Sequence, residues 1–471
     1  MKEARQKLTQ ITNPAVKVRQ TAVTMLNQAD MLIQAGFYDS AVTLLSGVLM
    51  IDPSRMSAIH KIGKCLEESG AEEDAISCYR GALPESITQK YFNSEQLANK
   101  IRSASDCANV TLLQGFDEER IALDAPVRNK VDKNYGEFNY QETYAQAAFC
   151  TVADQGAVWF DGINTVALDC HSNAIKEQSK GDFFSSYHAI QTSEPVSITG
   201  TVCFLDGRSS SIYYHWMLDI LPKIGVVKAA GIDLDEIDYF VVSAKSKFQL
   251  ETLRACGIRD DQLIDITNSP LFRADKMIVP CLKNDQGEKV YHGLGVGLSS
   301  SVAKFLQNLY GHDYTQANTG NSENLRVYIS RSTRGSRNVA NEPKLIAALE
   351  KRGFVTVEFE RLTVAEQAEL MSRTDVVVGV HGAGFTNATF CRPGTRIIEI
   401  FGDYVVPCYW ALCAVAQLDY AQFMASSIEA SDAVDNPGQR VVQLRDMEID
   451  VDADEFINFL DMTLGAEVAA A

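Results

Sequence analysis

The C-terminal third of the chain alternates short apolar segments with amphipathic ones, and this alternation restricts the possible folds more than any other feature of the sequence. The segments LRVYIS, FVTVEFE, DVVVGVHG and TRIIEIF have the length and the β-branched content of buried strands. Between them, EPKLIAALEKRG carries a proline near its first turn and a glycine just past its end, as helices commonly do. Strands that alternate with helices predict βαβ units and a mostly parallel sheet.

A similar alternation precedes this region. DYFVVSA (238–244) and KMIVP (276–280) are predicted to be short buried strands, VWFDGINTVALD to form paired strands, and residues 213–230 and 246–257 to be helical. A polar stretch, Thr315 to Glu323, has the composition of an interdomain linker. The sequence therefore predicts an α/β protein with two doubly wound domains that face a cleft.

The predicted limits are 104–320 for the N-terminal Rossmann-like domain and 321–471 for the C-terminal one. The second domain ends in an amphipathic helix, Ala453 to Leu464, which we expect to cross back over the first domain. Ahead of both, residues 1–103 are predicted to form an all-α region.

An internal repeat lies within this helical region. Two such units are visible, and a 34-residue period with small residues at helix contacts resembles tetratricopeptide repeats, which are helix-turn-helix units. Because stable stacking usually needs about three repeats, we expect flanking helices or the next domain to complete the array. The region is either a binding surface for a protein partner or a helical oligomerisation or spacer module. The matching pairs are Leu32 and Leu66, Gly36 and Gly70, Ala41 and Ala75, Val42 and Ile76, and Leu49 and Leu83.

Charge and cysteine content exclude several classes of function. The formal net charge is −18, which argues against wrapping nucleic acid or coating an anionic membrane. The N-terminus is polar and charged, and no apolar segment approaches the roughly 18 residues of a spanning helix. Eleven scattered cysteines without a CxxC motif fit a reducing environment. We therefore expect a cytoplasmic protein.

The segment VVVGVHGAGFTN ends a predicted strand at His381, between small residues. In open α/β sheets, ligands bind beyond the carboxyl ends of the strands. Glycines let the backbone approach a ligand closely, and a helix beginning after Gly384 would point N–H groups and partial positive charge at it. The pattern suits a phosphate with His381 as an added donor; the alternative is a tight turn whose histidine bonds to backbone. Neither GxGxxG nor GxxxxGK[ST] is present, which disfavours ordinary dinucleotide and P-loop sites.

A cluster of arginines follows the first strand of the C-terminal domain. Arg326, Arg331, Arg334 and Arg337 fall within twelve residues, and Arg331 comes at the strand end. The guanidinium fork matches phosphate oxygens, so two or three of these residues could hold a diphosphate without a metal. The alternative is a solvated arginine-rich loop. At a third strand end, the Glu399 carboxylate either accepts two sugar hydroxyls or forms a surface salt bridge.

The segment SSSIYYHWMLDILPK contains a candidate general base. If the segment is helical, His215 and Asp219 are four residues apart and share a face. A carboxylate beside an imidazole fixes its tautomer and raises its basicity. Pro222 is expected to kink this helix near Leu218, with His215 in the first turn and near the cleft. The alternative is an aromatic core segment in which the histidine is buried and satisfied among Tyr213, Tyr214 and Trp216.

Taken in order, these pieces resemble glycosyltransferase family 61 over roughly residues 150–425. Members carry N-Y-x-H-W-x-x-D-x-L-P-[RK], then Y-I-S-R with a nearby Arg and N-E, then E-Q, G-x-H-G-A-G-[LF]-T-N and a strand with Glu. Ile212 stands where the family usually has Asn, and the N-terminal repeats lie outside the family core. The matching residues here are Tyr213, His215, Trp216, Asp219, Leu221, Pro222, Lys223, Ser330, Arg331, Arg337, Asn341, Glu342, Glu366, Gln367, His381, Gly382, Ala383, Gly384, Thr386, Asn387 and Glu399.

The resemblance implies a GT-B fold with the nucleotide-sugar donor in the C-terminal domain and the acceptor in the N-terminal one. It also implies inversion at the anomeric carbon, transfer of a sugar such as xylose, arabinose or N-acetylglucosamine, and no metal or other cofactor besides the donor itself. The DxD-like segments at Asp233 and Asp235, and at Asp450 to Asp454, are acidic and loop-like or terminal, which fits solvated carboxylates rather than a metal site.

The mechanism that follows is a hypothesis. Arg331 and Arg337 hold the diphosphate, and His215, oriented by Asp219, removes the proton from the acceptor hydroxyl. The remaining donor-site candidates are His381, Gly382, Ala383, Gly384, Thr386, Asn387 and Glu399, of which Asn387 and Glu399 would position the ribose or donor sugar; Asn341 and Glu342 are further candidates.

The acceptor is expected to be a glycan or a lipid-linked glycan used in surface polysaccharide synthesis, with no nucleic-acid partner. A peripheral position at the inner membrane face is compatible with such an acceptor. Two other functions stay open: a nucleotide-sugar epimerase on the same scaffold, and a non-catalytic scaffold in which the repeats do the work. Ile212 is the feature that favours the scaffold.

Overall fold

The protein, seen here as a computed structural model, combines an N-terminal helical region with two large β-sheets. The predicted α/β class, with Rossmann-like domains behind a helical region, is confirmed. Among the described residues, no helix has the length and apolarity to span a bilayer. The predicted linker, Thr315 to Glu323, lies outside the described part of the chain. The structure describes residues 22, 25–51, 55–91, 100–130, 138, 140–162, 164–178, 190, 193–207, 209–282, 298–311, 325–331, 337–428 and 447–465.

The N-terminal region is a series of short helices. Gly36 and Gly70 each follow a helix and adopt positive φ, +79° and +81°. The N–H after each glycine donates to the carbonyl five residues back, Leu32 O at 2.9 Å and Leu66 O at 2.8 Å. The same C-terminal helix cap thus recurs, so the period of the sequence is also a period of the backbone. After helical residues 25–34, the helices are α1 (Tyr38–Ile51), α2 (Met56–Glu68), α3 (Glu72–Tyr79) and α4 (Glu85–Tyr91).

These helices share one hydrophobic core with the sheet that follows them. Leu45, Leu49 and Ile62 are fully buried in the same cluster as Trp159 and Leu271 of that sheet. The expectation that so few repeats need a second surface to pack on is therefore confirmed. That they are tetratricopeptide repeats stays a prediction.

The N-terminal half of the chain contributes one large mixed sheet. Its ten strands run in the order β1-β9-β8-β7-β13-β10-β11-β12, with β6 paired to β13 and to β2. The part β13-β10-β11-β12 is parallel, whereas β6 and β7 run antiparallel to β13. Strands β3 (Glu119–Ala122) and β5 (Glu142–Ala145) form a separate antiparallel pair, and β4 (Val127–Arg128) belongs to the C-terminal sheet. The ten strands of the large sheet are β1 (Ile101–Arg102), β2 (Val110–Gln114), β6 (Phe149–Asp154), β7 (Ala157–Phe160), β8 (Thr165–Leu168), β9 (Ala174–Ile175), β10 (Val196–Phe204), β11 (Tyr239–Val242), β12 (Leu263–Asp265) and β13 (Leu271–Cys281).

The helices of this half lie where the parallel strands connect. Capping fixes two of their starts: Ser246 and Gln249 form a capping box, and the Ser299 hydroxyl accepts from Val302 N. The helices are α5 (Tyr213–His215), which continues into a π-helical turn (Trp216–Ile220), α6 (Lys223–Ala229), α7 (Lys247–Ala255) and α8 (Ser300–Leu309).

The C-terminal half forms a six-stranded sheet in the order β15-β14-β16-β17-β18-β4, with every pair parallel. Strand β4 comes from the N-terminal half and completes one edge. Between the strands lie α9 (Glu342–Glu350), α10 (Val364–Ser372) and α11 (Cys408–Val415), and α12 (Ala453–Leu464) ends the described chain. The strands are β14 (Leu325–Ile329), β15 (Phe354–Val357), β16 (Thr374–Val380), β17 (Arg396–Phe401) and β18 (Asp419–Met424), beside a two-stranded pair, β19 (Ser426–Ser427) and β20 (Ile449–Asp450).

The C-terminal helix packs on its own domain. Phe456 and Leu460 of α12 are fully buried with Val378 and Phe423 of the C-terminal sheet. Its apolar face therefore covers the C-terminal sheet, while Glu455 of the same helix accepts from Asn129 Nδ2 of the first half at 3.0 Å. That the helix crosses back over the first domain stays a prediction.

The two halves also share a core of their own. Leu221 and Ile224 of the first half are buried in one cluster with Phe385 and Trp410 of the second. Trp410 Nε1 donates to the carbonyl of Asp124 at 2.8 Å, across the boundary between them. The segment that follows β10 is thus packed directly against the segment that follows β16.

Candidate active site

The carboxyl ends of β14 and β16 meet at a topological switch point. From β14 the chain crosses to β15 on one side and then returns to β16 on the other. Arg331 comes two residues after β14, and His381 directly follows β16. Ligands of open α/β sheets bind in the crevice at such a point. The two strand ends that the sequence predicts to bind an anion therefore lie side by side.

Arg331 lies against the backbone of Gly382. A Cβ built on Gly382 would be 2.9 Å from Cζ of Arg331 and in overlap with Nη1. Any residue larger than glycine would therefore displace the guanidinium. The arginine and the glycine-lined histidine turn therefore lie in contact at one place.

Arg337 reaches the same edge of the sheet through an aromatic side chain. Its guanidinium carbon is 5.8 Å from the centroid of the Tyr404 ring, within cation–π range. The Tyr404 ring in turn lies 5.9 Å from the ring of His381. Arg331 and Arg337 therefore place two positive charges around the histidine turn.

The other two arginines of the cluster do not contribute to this edge. Arg326 is 6% exposed, and its Nη1 donates to the carbonyl of Arg352 at 2.8 Å, at the amino end of β14. Its position at the opposite end of the strand excludes it from the anion site. Arg334 lies in 332–336, outside the described residues.

His381 belongs to a buried chain of hydrogen bonds. Its Nδ1 is 2.6 Å from Oε1 of Glu399, and Oε2 of Glu399 accepts from the hydroxyl of Tyr420 at 2.6 Å. The imidazole also stacks on Phe401, with centroids 5.2 Å apart. Burial, followed by the Glu399 charge, raises the pKa of Tyr420 well above its usual range, which keeps its hydroxyl a donor. The imidazole is thus fixed by its bond to Glu399 and by stacking on Phe401.

The geometry does not agree with the expected contact between Glu399 and sugar hydroxyls. The side chain of Glu399 has no exposed surface, and both of its oxygens are engaged. In this arrangement it can orient His381, but it does not reach a ligand. Glu399 is thus a positioning residue behind the histidine.

The turn after His381 places only part of its residues at the surface. Ala383 and Gly384 are half-buried and begin a 3₁₀ helix, Ala383–Phe390, while Gly382 is buried beneath Arg331. Thr386 is 1% exposed and Asn387 is fully buried. A direct contact of Thr386 or Asn387 with the donor, as expected from the sequence, is therefore wrong for this arrangement, because neither side chain reaches the crevice.

Asn341 and Glu342 are structural residues in this conformation. Glu342 Oε1 accepts from the hydroxyl of Tyr328 at 3.0 Å and from Ser330 Oγ at 2.9 Å, which ties α9 to β14. Asn341 Nδ2 donates to the carbonyl of Val451 at 2.7 Å. These contacts hold the strand that presents Arg331, and the candidacy of both residues for ligand contact is not supported.

His215 and Asp219 are paired as the sequence predicts. His215 Nδ1 is 2.6 Å from Asp219 Oδ2, and the imidazole side chain is 37% exposed while the carboxylate is 16% exposed. Asp219 Oδ1 is buried and has no hydrogen-bond partner in the described part of the chain. Because Nδ1 faces the carboxylate, Nε2 is the nitrogen left to meet a substrate.

A π-helical turn carries this pair. Leu221 N donates to Trp216 O at 2.8 Å, five residues back, just before the proline that cannot donate. The expected disturbance near Leu218 is therefore a widened turn, a feature often found at functional sites. Trp216 is fully buried and donates to Thr252 Oγ1 at 2.8 Å, so this aromatic residue does belong to the core.

Two tyrosines connect the two histidines. The Tyr214 ring lies 5.1 Å from the His215 ring and 5.6 Å from the Tyr409 ring, and Tyr409 lies 5.4 Å from His381. The candidate base and the candidate anion-binding edge are thus two aromatic rings apart.

Sequence reasoning missed several tyrosines that build this site: Tyr404, Tyr409 and Tyr420. They occur in segments without a recognisable motif, so no local signal identifies them. The strand TRIIEIF shows only that Glu399 lies close in sequence to the segments that carry these tyrosines. No group of three potential metal-ligating side chains is found within the described ranges.

The fold and the site together define an α/β protein in which two arginines and a glycine-lined histidine turn lie near a histidine–aspartate pair. Residues 213–398 match the model of the family Glycosyltransferase 61, and this span includes His215, Arg331 and His381. This match confirms the resemblance drawn from the motifs of the sequence.

Two curated relatives are similar to shorter parts of the chain. One is the EGF domain-specific O-linked N-acetylglucosamine transferase of Drosophila melanogaster, 33% identical over 102 residues, which is 21% of this chain and 19% of the relative. The other is the protein O-linked-mannose β-1,4-N-acetylglucosaminyltransferase 2 of Tetraodon nigroviridis, 27% identical over 130 residues, which is 26% of this chain and 22% of the relative. The chain thus matches about a fifth of the length of each relative.

Among solved structures, the E. coli heptosyltransferase WaaC with ADP covers 58% of this chain and 99% of its own. The sequence identity is 11% and the TM-score is 0.25. A likeness of this size carries no argument about fold or function.

Proposed function

We propose that the protein is a glycosyltransferase that moves a sugar from a nucleoside diphosphate to a hydroxyl group of a glycan acceptor. The observation that carries the proposal is the convergence of Arg331 and Gly382 at the switch point of the C-terminal sheet. A guanidinium there, backed by a glycine turn, suits the pyrophosphate of a nucleotide sugar.

Arg331 and Arg337 stabilise the diphosphate as it leaves. During transfer the bond between the anomeric carbon and the phosphate oxygen breaks, and its electron pair stays with the diphosphate. Negative charge therefore grows on the leaving group, where preorganised donors act most strongly. One charge-assisted hydrogen bond contributes about 1.5–3 kcal/mol. The partly exposed Ala383 and Gly384 lie at the same edge.

His381 acts as a fixed hydrogen-bond donor to the donor substrate in its imidazolium form, in which both ring nitrogens carry a proton. Glu399 engages its Nδ1, so Nε2 points away from the carboxylate. Stacking on Phe401 and the Glu399 bond to Tyr420 leave the ring little freedom. A donor held in one orientation needs no reorganisation when charge develops, which is the condition for electrostatic stabilisation.

His215 is the general base. The acceptor oxygen attacks the anomeric carbon while its proton passes to Nε2 of His215, and Asp219 stabilises the imidazolium that forms. A single displacement by this route inverts the anomeric configuration. The half-exposed His215 ring, two aromatic rings from His381, leaves room for an acceptor between the two domains.

The sugar, the acceptor and the setting are part of this proposal. The printed names of both relatives contain N-acetylglucosamine, so this sugar is the first to test, before xylose and arabinose. For the acceptor we propose a glycan or lipid-linked glycan of surface polysaccharide synthesis. The N-terminal helices supply a surface for a protein partner.

The test is a panel of nucleotide sugars and nucleoside diphosphates, measured by thermal shift and titration calorimetry, with turnover assayed on glycan acceptors. Arg331→Ala should abolish most binding. Arg373→Ala is the matched control, because Arg373 is 52% exposed and lies at the amino end of β16, opposite the crevice. Absence of any nucleotide binding to the unmodified protein would refute the proposal and favour a non-catalytic scaffold. Donor consumption without acceptor would indicate an epimerase.

A further inference from the structure

A hydrogen-bonded chain crosses from the segment that carries His215 to the segment that carries His381. The Tyr213 hydroxyl donates to Oδ1 of Asn387 at 2.7 Å, and Asn387 Nδ2 donates to Oε1 of Gln367 at 2.7 Å. Tyr213 comes two residues before His215, and Asn387 six residues after His381. One buried chain therefore joins the two halves of the proposed site.

The direction of every bond in this chain is determined. Gln367 Nε2 donates to the carbonyls of Phe359 at 3.0 Å and Leu362 at 3.1 Å, so its Oε1 is the atom that accepts. Asn387 must then offer Nδ2 to Gln367, which leaves its Oδ1 for Tyr213. Burial raises the pKa of the Tyr213 hydroxyl well above its usual range, so it remains a donor. Reversal of any amide would leave two donors or two acceptors facing each other.

Packing fixes the tyrosine in place. Its ring meets Phe248 edge to face, with centroids 5.3 Å apart and planes at 85°. Phe248 lies on α7 of the first domain, while Asn387 is fully buried in the 3₁₀ helix of the second. The first domain therefore packs around the Tyr213 ring, and the second domain accepts the hydrogen bond from its hydroxyl.

We propose that Tyr213 is a positioning residue whose bond to Asn387 sets the separation between the His215 base and the diphosphate edge at His381. This inference rests on the function proposed above for its kinetic consequences. An error of about 1 Å between reacting groups can cost on the order of 10²-fold in rate. The bond touches neither substrate, so its loss should change turnover and leave donor binding alone.

Another interdomain bond provides a matched control. Gln307 Nε2 donates to the carbonyl of Thr389 at 2.9 Å, on the same 3₁₀ helix, but α8 does not carry the base. Gln307→Met removes one interdomain hydrogen bond without disturbing the segment around His215. Tyr213→Phe also removes one interdomain hydrogen bond, but this bond is made by the segment that carries His215.

The experiment compares kcat, donor Kd and Tm for Tyr213→Phe, Gln307→Met and the unmodified enzyme. We expect Tyr213→Phe to lower kcat by about 10- to 100-fold, with the Kd for a nucleoside diphosphate within twofold, and Gln307→Met to change kcat less than threefold. Unchanged kcat in Tyr213→Phe overturns the inference. Equal losses of kcat in both variants also overturn it, because the loss of any interdomain hydrogen bond would then have the same effect.

Hydrogen exchange supplies a readout that does not depend on turnover. Tyr213→Phe should speed amide exchange at least tenfold in both 214–221 and 383–390, whereas Gln307→Met should affect only the second segment. If nucleotide binding is absent in the unmodified protein, the proposed function fails, but this exchange pattern still decides whether Tyr213 couples the two segments. Unaltered exchange in 214–221 would count against the coupling.

Discussion

Replacing Gly382 with alanine should weaken binding of a nucleoside diphosphate without damaging the fold. Gly382 has φ 173° and ψ 169°, an extended backbone that alanine adopts without strain. The added Cβ would lie 2.9 Å from Cζ of Arg331 and still closer to Nη1. Carbon atoms do not approach other heavy atoms so closely, so the guanidinium has to move.

The size of the effect follows from what the displaced group contributes. A charge-assisted hydrogen bond to phosphate is worth about 1.5–3 kcal/mol. Loss of one such bond raises the Kd by roughly 10- to 150-fold. The contact involves the tip of a flexible side chain, so the free energy of unfolding should change by less than about 1 kcal/mol.

Titration calorimetry with uridine and guanosine diphosphates measures the Kd, and thermal unfolding checks the fold. Arg331→Ala and the variant with both substitutions complete a double-mutant cycle. Once Arg331 is absent, the alanine at position 382 should add little. An unchanged Kd in Gly382→Ala, or losses that simply add, would refute the idea that this glycine acts by leaving room for the arginine.

Three further predictions follow from single contacts. His215→Ala should lower kcat by about 10²–10⁴-fold with nucleotide affinity kept; full activity in steady-state assays would move the base to Asp219. Gln422→Met should raise the free energy of unfolding by about 1–3 kcal/mol in urea titrations, because neither amide atom of this fully buried side chain has a partner in the described chain; a loss of stability would contradict this. Arg352 holds the pKa of Asp461 below its usual range, so their ion pair stabilises the fold above the ordinary carboxyl pKa and the contribution is lost as pH falls through the lowered value. Asp461→Asn should flatten the acid side of the Tm profile, and an unaltered profile would show that the pair is not coupled to folding.

The position of the proposed anion-binding edge could be predicted from sequence, because parallel sheets bring strand ends together without reference to side chains. Arg331 and His381 each follow a recognisable strand, and adjacent strands were enough to place them side by side. The same logic excludes Arg326 once the strand limits are known, because it lies near the amino end of β14. A count of arginines alone does not make this distinction.

The roles of the buried residues could not be predicted, because their partners are distant in the chain. Glu399 accepts a hydrogen bond from Tyr420 of the neighbouring strand. Asn387 accepts one from Tyr213, which is 174 residues away in the chain. A motif shows that polar residues recur near a site, but it does not show which of them face the ligand. For the same reason, the apolar face of α12 is visible in the sequence while the sheet that it covers is not.

The two histidine–carboxylate pairs have the same bond and differ in everything around it, which decides their roles. In both, Nδ1 lies 2.6 Å from a carboxylate oxygen. The His215 side chain is 37% exposed and Asp219 Oδ1 has no partner in the described chain, so this pair can meet an acceptor and take up its proton. The His381 side chain is 9% exposed, and Glu399 also binds Tyr420, which holds the ring rigidly. As an imidazolium, this ring would donate from Nε2 and stabilise developing negative charge. If His381→Ala removed the pH dependence of kcat while His215→Ala preserved it, this division of roles would be reversed.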